Sequence, residues 1–468
     1  MKADPGSFRD RSNRVFVTDK AVFRALNATA KANWDTLSAT KFYQRYAASG
    51  QIAATKEATL SELGGLQAHG GNWLALLEHE RVPVISYPYE WSFGMLKDAA
   101  LLHLDMMLEA LAEGFVLKDA TPFNVQFIGA RATLIDVISF EKLGDDNIWV
   151  AHRQFCEMFL YPLMLQAYLK VPFHSWLRGS LDGITATDMA KLFSWRDYFR
   201  PGVLVQVILQ SKLQQSFGSS TSNIRSELKT AGLGAELIKA NVKKLRRIVQ
   251  KLDSGIGSTE WGDYAANTSY SDSERTIKQA FIADVMRSGP WPLVWDLGCN
   301  TGDYAKIAAE HGAYVVAADG DHLAIERLYQ EQKTKGGTTI LPLVMKLNDQ
   351  SPGLGWRGQE RAPFAARSKP SVVFCLALIH HLVITANIPL PEVLAWFASL
   401  NAALVIEFVN KQDEMVRQLL RQRLDQYPDY TPAGFETALG EFFTIEKRCE
   451  TKPGKREIFF ARPKKGNC

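Results

Sequence analysis

A glycine-bearing loop set directly behind a strand constrains this chain most. Val294-Trp295-Asp296-Leu297 is an apolar run of strand length, and Gly298-Cys299-Asn300-Thr301-Gly302 follows it before helical spacing resumes at Tyr304. Gly298 and Gly302 let the backbone turn sharply and approach a ligand closely. The amides that open the next helix favour an anionic group. The spacing is Asp-x-Gly-x-x-x-Gly, not the Gly-x-Gly-x-x-Gly that a dinucleotide pyrophosphate requires. Asp296 puts a carboxylate at the carboxyl end of the strand, where it repels a pyrophosphate and accepts a hydrogen bond from an ammonium group.

The run Val315-Val316-Ala317-Ala318-Asp319 ends in a second acid, 23 positions after Asp296. At the tip of a neighbouring strand such an acid accepts hydrogen bonds from both hydroxyls of a ribose. An ammonium end and a ribose together select S-adenosylmethionine (SAM) as the cofactor. Further strand-length runs follow at Thr339–Met345, Ser371–Ala377, Ala402–Val409, Phe442–Lys447 and Glu457–Ala461. Helical patterns separate or follow them at Tyr304–His311, His322–Gln332, Gly358–Arg367, Leu390–Leu400 and Asp413–Asp425. This alternation predicts a doubly wound, mostly parallel sheet of seven strands, and the short turn Thr451–Lys455 makes the last pair an antiparallel hairpin.

The chain has 468 residues, enough for two to three domains, and 46% hydrophobic with 22% charged residues excludes global disorder. A net charge of +4 is too small to require nucleic acid as a partner. The apolar stretch Phe155–Phe173 is broken by Glu157, Gln166 and Lys170, so it reads as a buried helix and no membrane partner is expected. The start has no apolar core of a secretory signal, and the five scattered cysteines form no zinc pattern; a cytoplasmic chain with no metal is expected. Ala235–Leu252 has helical spacing, with Lys239, Lys243, Lys244, Arg246, Arg247 and Lys251 on its polar face. That face reads as solvated, with a nucleic-acid or partner surface as the alternative. The segment Asp253–Ser258 is a break, giving domains 1–252 and 261–468 with a linker at 253–260.

DLGCNTGDYA (Asp296–Ala305) and VVAADGD (Val315–Asp321) resemble the first two motifs of class I SAM-dependent methyltransferases. The resemblance runs through LNDQSP (Leu347–Pro352), GW (Gly355–Trp356), ER (Glu360–Arg361), LALIHHL (Leu376–Leu382) and IEFV (Ile406–Val409). With WGDYAANTSYSDSE (Trp261–Glu274) it is similar to a bacterial branch that includes nodulation-protein-like methyltransferases. It covers roughly Trp261–Pro463 and implies a Rossmann-like methyltransferase domain. It also implies that Asp296, Gly298, Asn300, Gly302, Asp319, Asn348, Asp349 and Leu376 hold SAM. Asn348 and Asp349 follow the third strand, where they reach the adenine amino group or simply form a turn. Cys299 reads as a small packing residue.

Methyl transfer to a hydroxyl or amine calls for a base beside the acceptor. His380 and His381, just past the fourth strand, are candidates, as is Glu407 in the fifth, where a carboxylate needs a partner or a substrate.

The first half is helix-rich, and Asp119, Asn124 and Asp136 have the order Asp-x4-Asn with an acid after a short strand. That resembles the catalytic loop and metal-binding acid of kinase-like phosphotransferases, over roughly residues 80–215, and implies a kinase-like α+β domain. In that family the first acid orients the acceptor hydroxyl, and the Asn and second acid hold magnesium. Here Lys118 departs from the usual pattern, Val137-Ile138 follows the second acid, and no Gly-rich loop or anchoring Lys stands at residues 15–60. Tyr87-Pro88-Tyr89-Glu90-Trp91 is either an aromatic wall for a planar substrate or a packed strand and turn. The expectation is a SAM-dependent methyltransferase acting on oxygen or nitrogen of a small-molecule acceptor. A phosphotransferase or bifunctional enzyme, and a non-catalytic SAM-binding module, are the alternatives. The acceptor and the oligomeric state are not set by the sequence.

Overall fold

The structure is a computed structural model, and it describes residues 2–59, 72–144, 149–216, 234–255, 272–421 and 425–464. The first half opens with β1 (Lys2–Ala3), β2 (Asn13–Val17), β3 (Val22–Leu26), β4 (Thr55–Ala58) and β5 (Ala75–His79), an antiparallel sheet in the order β1-β2-β3-β5-β4. Short pairs follow: β6 (Phe115–Leu117) with β9 (Phe140–Lys142), and β7 (Val125–Ile128) with β8 (Arg131–Leu134). Between them lies the helix Phe93–Ala112, started by the Ser92 hydroxyl and apolar around most of its circumference, so it is buried on nearly every side. The helix Gly234–Lys251 packs on it through Ile238, Val242, Leu245 and Val249. Arg246 crosses to Asp105, whereas Lys243, Lys244, Arg247 and Lys251 stay exposed.

The second half forms one seven-stranded sheet. Its strands are β10 (Leu293–Leu297), β11 (Tyr314–Asp319), β12 (Ile340–Val344), β13 (Val372–Cys375), β14 (Ala403–Val409), β15 (Phe443–Lys452) and β16 (Arg456–Pro463). The order is β12-β11-β10-β13-β14-β16-β15; the first five are parallel, and β16 runs antiparallel between β14 and β15. Val-rich strands buried on both faces are what a parallel sheet covered by helices demands. Helices Asp272–Arg287, Asp303–Glu310 and His322–Thr334 cover one face; Leu390–Ser399 and Pro432–Phe442 cover the other. Among the described residues, Asp413–Asp425 is helical over Glu414–Leu420, and Gly358–Arg367 forms a short turn and the helix Phe364–Arg367.

Strand register decides what meets at the carboxyl edge. Asp296 lies opposite Ala317 and Phe374, and Phe374 opposite Val405. Side chains two apart share a face. Asp296 therefore shares a face with Asp319, Leu376 and Glu407, which lie one step nearer the carboxyl edge, on the side covered by Asp272–Arg287, Asp303–Glu310 and His322–Thr334.

The halves meet over a continuous core. Glu90 forms a fully buried ion pair with Arg367, 2.7 Å from Oε2, and Tyr87 stacks on that guanidinium. Tyr89 and Trp91 are buried too, so Tyr87–Trp91 is a packed seam and its rings line no open wall. The Glu326 carboxylate accepts the Gly94 N–H at 2.7 Å, and Asp98 accepts from Tyr329 and Lys333, both at 2.6 Å. Gly129 has φ +59° and sits so near Thr338 that a Cβ would come within 2.4 Å of its Cα.

Candidate functional site

The loop after β10 is pinned to the end of β11: the N–H groups of Gly298 and Cys299 both donate to the Ala318 carbonyl, at 2.8 and 3.2 Å. Gly298 and Gly302 are left-handed, with φ +78° and +76°, and Asn300 joins them at +49°. Only glycine takes this backbone freely, and asparagine tolerates it. Gly302 caps the helix Asp303–Glu310, whose N-terminus faces the loop. Cys299 is buried, and burial holds its thiol protonated.

Asp296 is buried, and its Oδ2 has no hydrogen-bond partner among the described residues. Burial, with Asp319 nearby, pushes its carboxyl up to about 7, against a backbone hydrogen bond from Ala305. An unpaired buried oxygen costs roughly 1–3 kcal/mol, so it marks a place where a donor from outside completes the structure. The Asn300 side-chain oxygen is unpaired in the same way. Asp319 is wired differently. Its Oδ2 accepts the Asn300 N–H and its Oδ1 the Asp321 N–H, both at 2.8 Å, which fixes the carboxylate while leaving each oxygen a second lone pair. Burial nonetheless raises its pKa.

Leu376 follows directly on β13 and is buried, two residues beyond Phe374, the register partner of Asp296. Ala377 then takes φ +48°, a left-handed conformation that costs a Cβ-bearing residue roughly 1–2 kcal/mol. This bend lays Leu378 on Gly298 and carries the chain into the turn that holds His380 and His381. The two imidazole rings are 4.2 Å apart. His380 is buried with Nδ1 unpaired; burial, His381, Arg456 and Lys278 push its pKa well below the usual range. Burial also lowers His381. Both rings are neutral at neutral pH, so each keeps one accepting nitrogen.

Glu407 is fully buried, and its carboxylate is held by Lys278 Nζ at 2.7 Å and the Thr451 hydroxyl at 3.3 Å. Beside it Arg456 grips Asp413 through two bonds of 2.7 and 2.8 Å. Glu407 is thus committed to an ion pair. Sequence reasoning missed Lys278, though it interrupts the apolar stripe Phe281, Ile282, Val285 at helical spacing, which is where a buried cation shows itself. Asn348 and Asp349 lie in an exposed turn after β12. Asp349 takes a bidentate pair from Arg178 of the first half, both bonds 2.8 Å, and is not gathered with Asp296. Of Trp261–Glu274, residues 261–271 lie outside the described residues, as do 256–260 of the linker.

In the first half, Asp119 and Asp136 are near neighbours: burial first, then the Asp136 charge, raises Asp119. Arg24, on β3, reaches Asp136 at 2.9 Å and also donates to Asn13 at 2.7 Å. Sequence reasoning missed this arginine, whose signal is a cation inside the apolar strand Val22–Leu26. Asn124 closes the turn before β7 and its carbonyl accepts the Ile135 N–H at 2.8 Å. The β1–β2 loop holds one glycine, Gly6, and docks on the second half: Arg9 bonds Glu360 at 2.6 and 3.0 Å.

The seven-stranded sheet, its antiparallel last pair and the loop after its first strand define the class I methyltransferase fold. The chain is 35% identical over 456 residues to nodulation protein NoeA of Rhizobium meliloti (strain 1021), covering 97% of this chain and 94% of that one. It belongs to the NoeA family. No protein-family model matches the chain. Among solved structures it is similar to magnesium protoporphyrin IX methyltransferase (ChlM) from Synechocystis PCC 6803 with bound SAH, at 21% identity, 41% of this chain, 85% of that one and a TM-score of 0.29. It is also similar to the N-methyltransferase NodS from Bradyrhizobium japonicum WM9, at 13% identity, 46% and 97% coverage and a TM-score of 0.31. The bifunctional kinase-methyltransferase WbdD gives 15%, 43% and 41% coverage and 0.32. These TM-scores are low, and the chemistry of the site stands on its own geometry.

Proposed function

We propose that this chain is a SAM-dependent methyltransferase that moves a methyl group to an oxygen or nitrogen of a small-molecule acceptor. The observation that carries the reading is the unpaired Oδ2 of buried Asp296 beside the glycine loop. The residues fit the cofactor. Asp296 offers its carboxylate to the ammonium group, and the Asn300 oxygen adds a second acceptor. Gly298 and Gly302 hold the left-handed turns that bring the loop backbone to the amino-acid end, with Leu378 and Leu328 packed where a Cβ would stand. Asp319, already oriented by two backbone amides, receives the ribose hydroxyls, with Leu376 as an apolar wall. Asn348, in the turn that Arg178 and Asp349 hold, is the residue left for the adenine amino group.

When bound, SAM supplies an electrophilic methyl group on its sulfonium. His380 or His381, neutral and with an accepting nitrogen, takes the proton from the acceptor's hydroxyl or amine. Glu407 acts at one remove: with Lys278 it fixes the polar floor beneath the histidines and keeps a cation near them. The test is calorimetry on the full chain with SAM, its demethylated product and NAD, followed by incubation with labelled SAM and extracts of the source organism. SAM is expected to bind and a labelled product to appear; NAD binding more tightly than SAM would sink the proposal. The NoeA relative is named for nodulation, and a role in chemistry serving that process is part of the proposal.

A second reading rests on Arg24, Asp119 and Asp136 lying together in the first half, with Asn124 held next to Asp136 through its carbonyl and the Ile135 N–H. In a kinase-like phosphotransferase the first acid orients a hydroxyl while Asn124 and Asp136 hold magnesium. We expect no efficient phosphoryl transfer, because Asp136 is neutralised by Arg24 and the β1–β2 loop is committed to Glu360. Magnesium-ATP turnover of ~1–100 per second that Asp136→Ala abolishes would put a bifunctional enzyme first.

A further inference from the structure

The segment between the helix Ala186–Leu192 and Leu213 is the most apolar exposed surface among the described residues. Trp195 is 67% exposed and Phe199 85%, and Leu204, Leu209 and Leu213 follow at 45–46%. The last three lie on the helical run Val203–Ser216, with Val205, Leu209 and Leu213 four residues apart and so in one stripe. The preceding turn Trp195–Phe199 packs against that run, as does Ala186–Leu192. These side chains therefore belong to one face. Soluble chains rarely leave such a face without a function.

Charge says what covers it. Exposed cations are interleaved with the apolar side chains: Lys191, Arg196, Arg200 and Lys212; two acids answer them, Asp188 pairing with Lys191 at 3.5 Å and Asp197 with Arg200 at 2.9 Å, and the face keeps a positive excess. Arg196 lies over the Trp195 ring at 5.5 Å, and Asp197 is buried and bonded to Ser194. The helix Gly234–Lys251 adjoins the same segment, since Ile248 reaches Gly202, and it presents Lys243, Lys244, Arg247 and Lys251 to solvent. A protein interface is depleted in lysine at its core and packs its aromatics in recesses. Here the aromatics protrude and cations surround them. Protruding Trp and Phe beside Lys and Arg are the chemistry of the boundary between headgroups and acyl chains.

We propose that the face from Leu192 to Leu213, flanked by the basic helix Gly234–Lys251, docks on an anionic phospholipid bilayer. No helix among the described residues is long and apolar enough to cross a membrane, and the sequence reading expected no membrane partner on that ground. Surface docking needs no span: the apolar side chains insert and the cations pair with headgroups. The inference is independent of the methyltransferase reading.

The test is flotation of the full chain with vesicles of phosphatidylcholine and phosphatidylserine (3:1) and of phosphatidylcholine alone, at low and high salt. Binding is expected only to the anionic vesicles and to weaken with salt. Phe199→Ser with Trp195→Ser, at exposed positions, should reduce it about tenfold or more with an unchanged circular dichroism spectrum. Reversal of Lys243, Lys244 and Arg247 to Glu should cost about fivefold per charge. Absence of binding at low salt, or binding that both sets of variants leave intact, overturns the proposal. So does self-association in sedimentation velocity that Phe199→Ser abolishes in a chain that does not float.

Discussion

Asp296, the penultimate residue of β10, and Asp136, just past the end of β8, are both carboxylates at the carboxyl end of a strand, and their surroundings differ. Asp296 is buried with one oxygen unpaired and no cation against it, so its ionisation is pushed up to about 7. Asp136 also has a buried oxygen, Oδ1, without a hydrogen bond among the described residues, but it has the Arg24 guanidinium 2.9 Å away, so the contrast lies in the cation. The loop beside Asp296 is free of side chains at Gly298 and Gly302, whereas the loop near Asp119 is drawn over by its neighbours, Lys118 lying 3.5 Å from Asp10. A fold that leaves a buried acceptor unsatisfied gives up stability, and a bound donor restores it. A fold that pairs its charges internally needs no ligand there. On the proposed reading, the acid without a cation is the one that receives the cofactor's ammonium group.

The largest effect is expected at the histidines. His380→Ala and His381→Ala should lower methyl transfer by ~10²–10⁴-fold while SAM affinity changes little, since the base acts on the acceptor. Full activity in both single variants and the double variant would remove the base assignment and point to an acceptor that is already ionised. Next comes the contrast between the acids. Asp296→Ala and Asp319→Ala should each weaken SAM binding by about 1.5–3 kcal/mol, and Asp136→Ala should leave it unchanged. Calorimetry on all three decides it, and the opposite ranking would invert the comparison.

The buried histidines and the buried Asp296 should also answer pH in opposite directions. Burial lowers His79 and His103 to about 3 and His174 to about 4, all in the first half. A histidine lowered on folding binds fewer protons in the native state, so its contribution is lost as pH falls below its unfolded value. For His103, packed among Trp149, Phe155 and Phe159, the loss between pH 7.5 and 5 is about 2 kcal/mol. Hydrogen exchange in the helix Phe93–Ala112 should quicken accordingly, and His103→Phe should blunt the change. Asp296 has the reverse sign. An acid raised on folding binds more protons in the native state, so ligand-free stability falls as pH rises from the usual carboxylate range to about 7. SAM affinity should rise over the upper part of that range and level off above it. The smallest effect is then that Asp296→Asn stabilises the ligand-free chain at pH 8, on the order of 1 kcal/mol by thermal melting, while binding SAM more weakly. A destabilised variant would show that the ionised carboxylate has a partner within the chain.

How far the sequence could be read depends on how local the cause is. Strands β10 and β11 fall on the same residues that their apolar runs mark, and the glycine loop sits where its spacing places it, because backbone sterics at Gly298 and Gly302 are decided within a few residues. The helix Pro432–Phe442 gave no such signal: Gly434 and Gly440 lower its propensity, and it persists because Phe435 and Leu439 are buried on the sheet. The left-handed Ala377 was equally silent, since nothing about alanine announces a strained turn. The tight approach at Gly129 arises from the other half of the chain.

The sequence by itself determined the strand-and-helix order of the second half, the loop and the two acids that flank it. Their causes are periodicity, glycine's backbone freedom and position at a strand end, and each acts over short stretches of chain. Only the tertiary structure decided how charges pair. Lys278 meets Glu407 across 129 positions, Arg24 meets Asp136, Glu90 meets Arg367 across 277, and Arg178 takes Asp349 across 171. An ion pair depends on distance in space and on the water removed around it, and neither quantity is written in the order of residues. The same folding that brought those opposite charges together left Asp296 with an oxygen unpaired among the described residues, and that is visible only once its neighbours are in place.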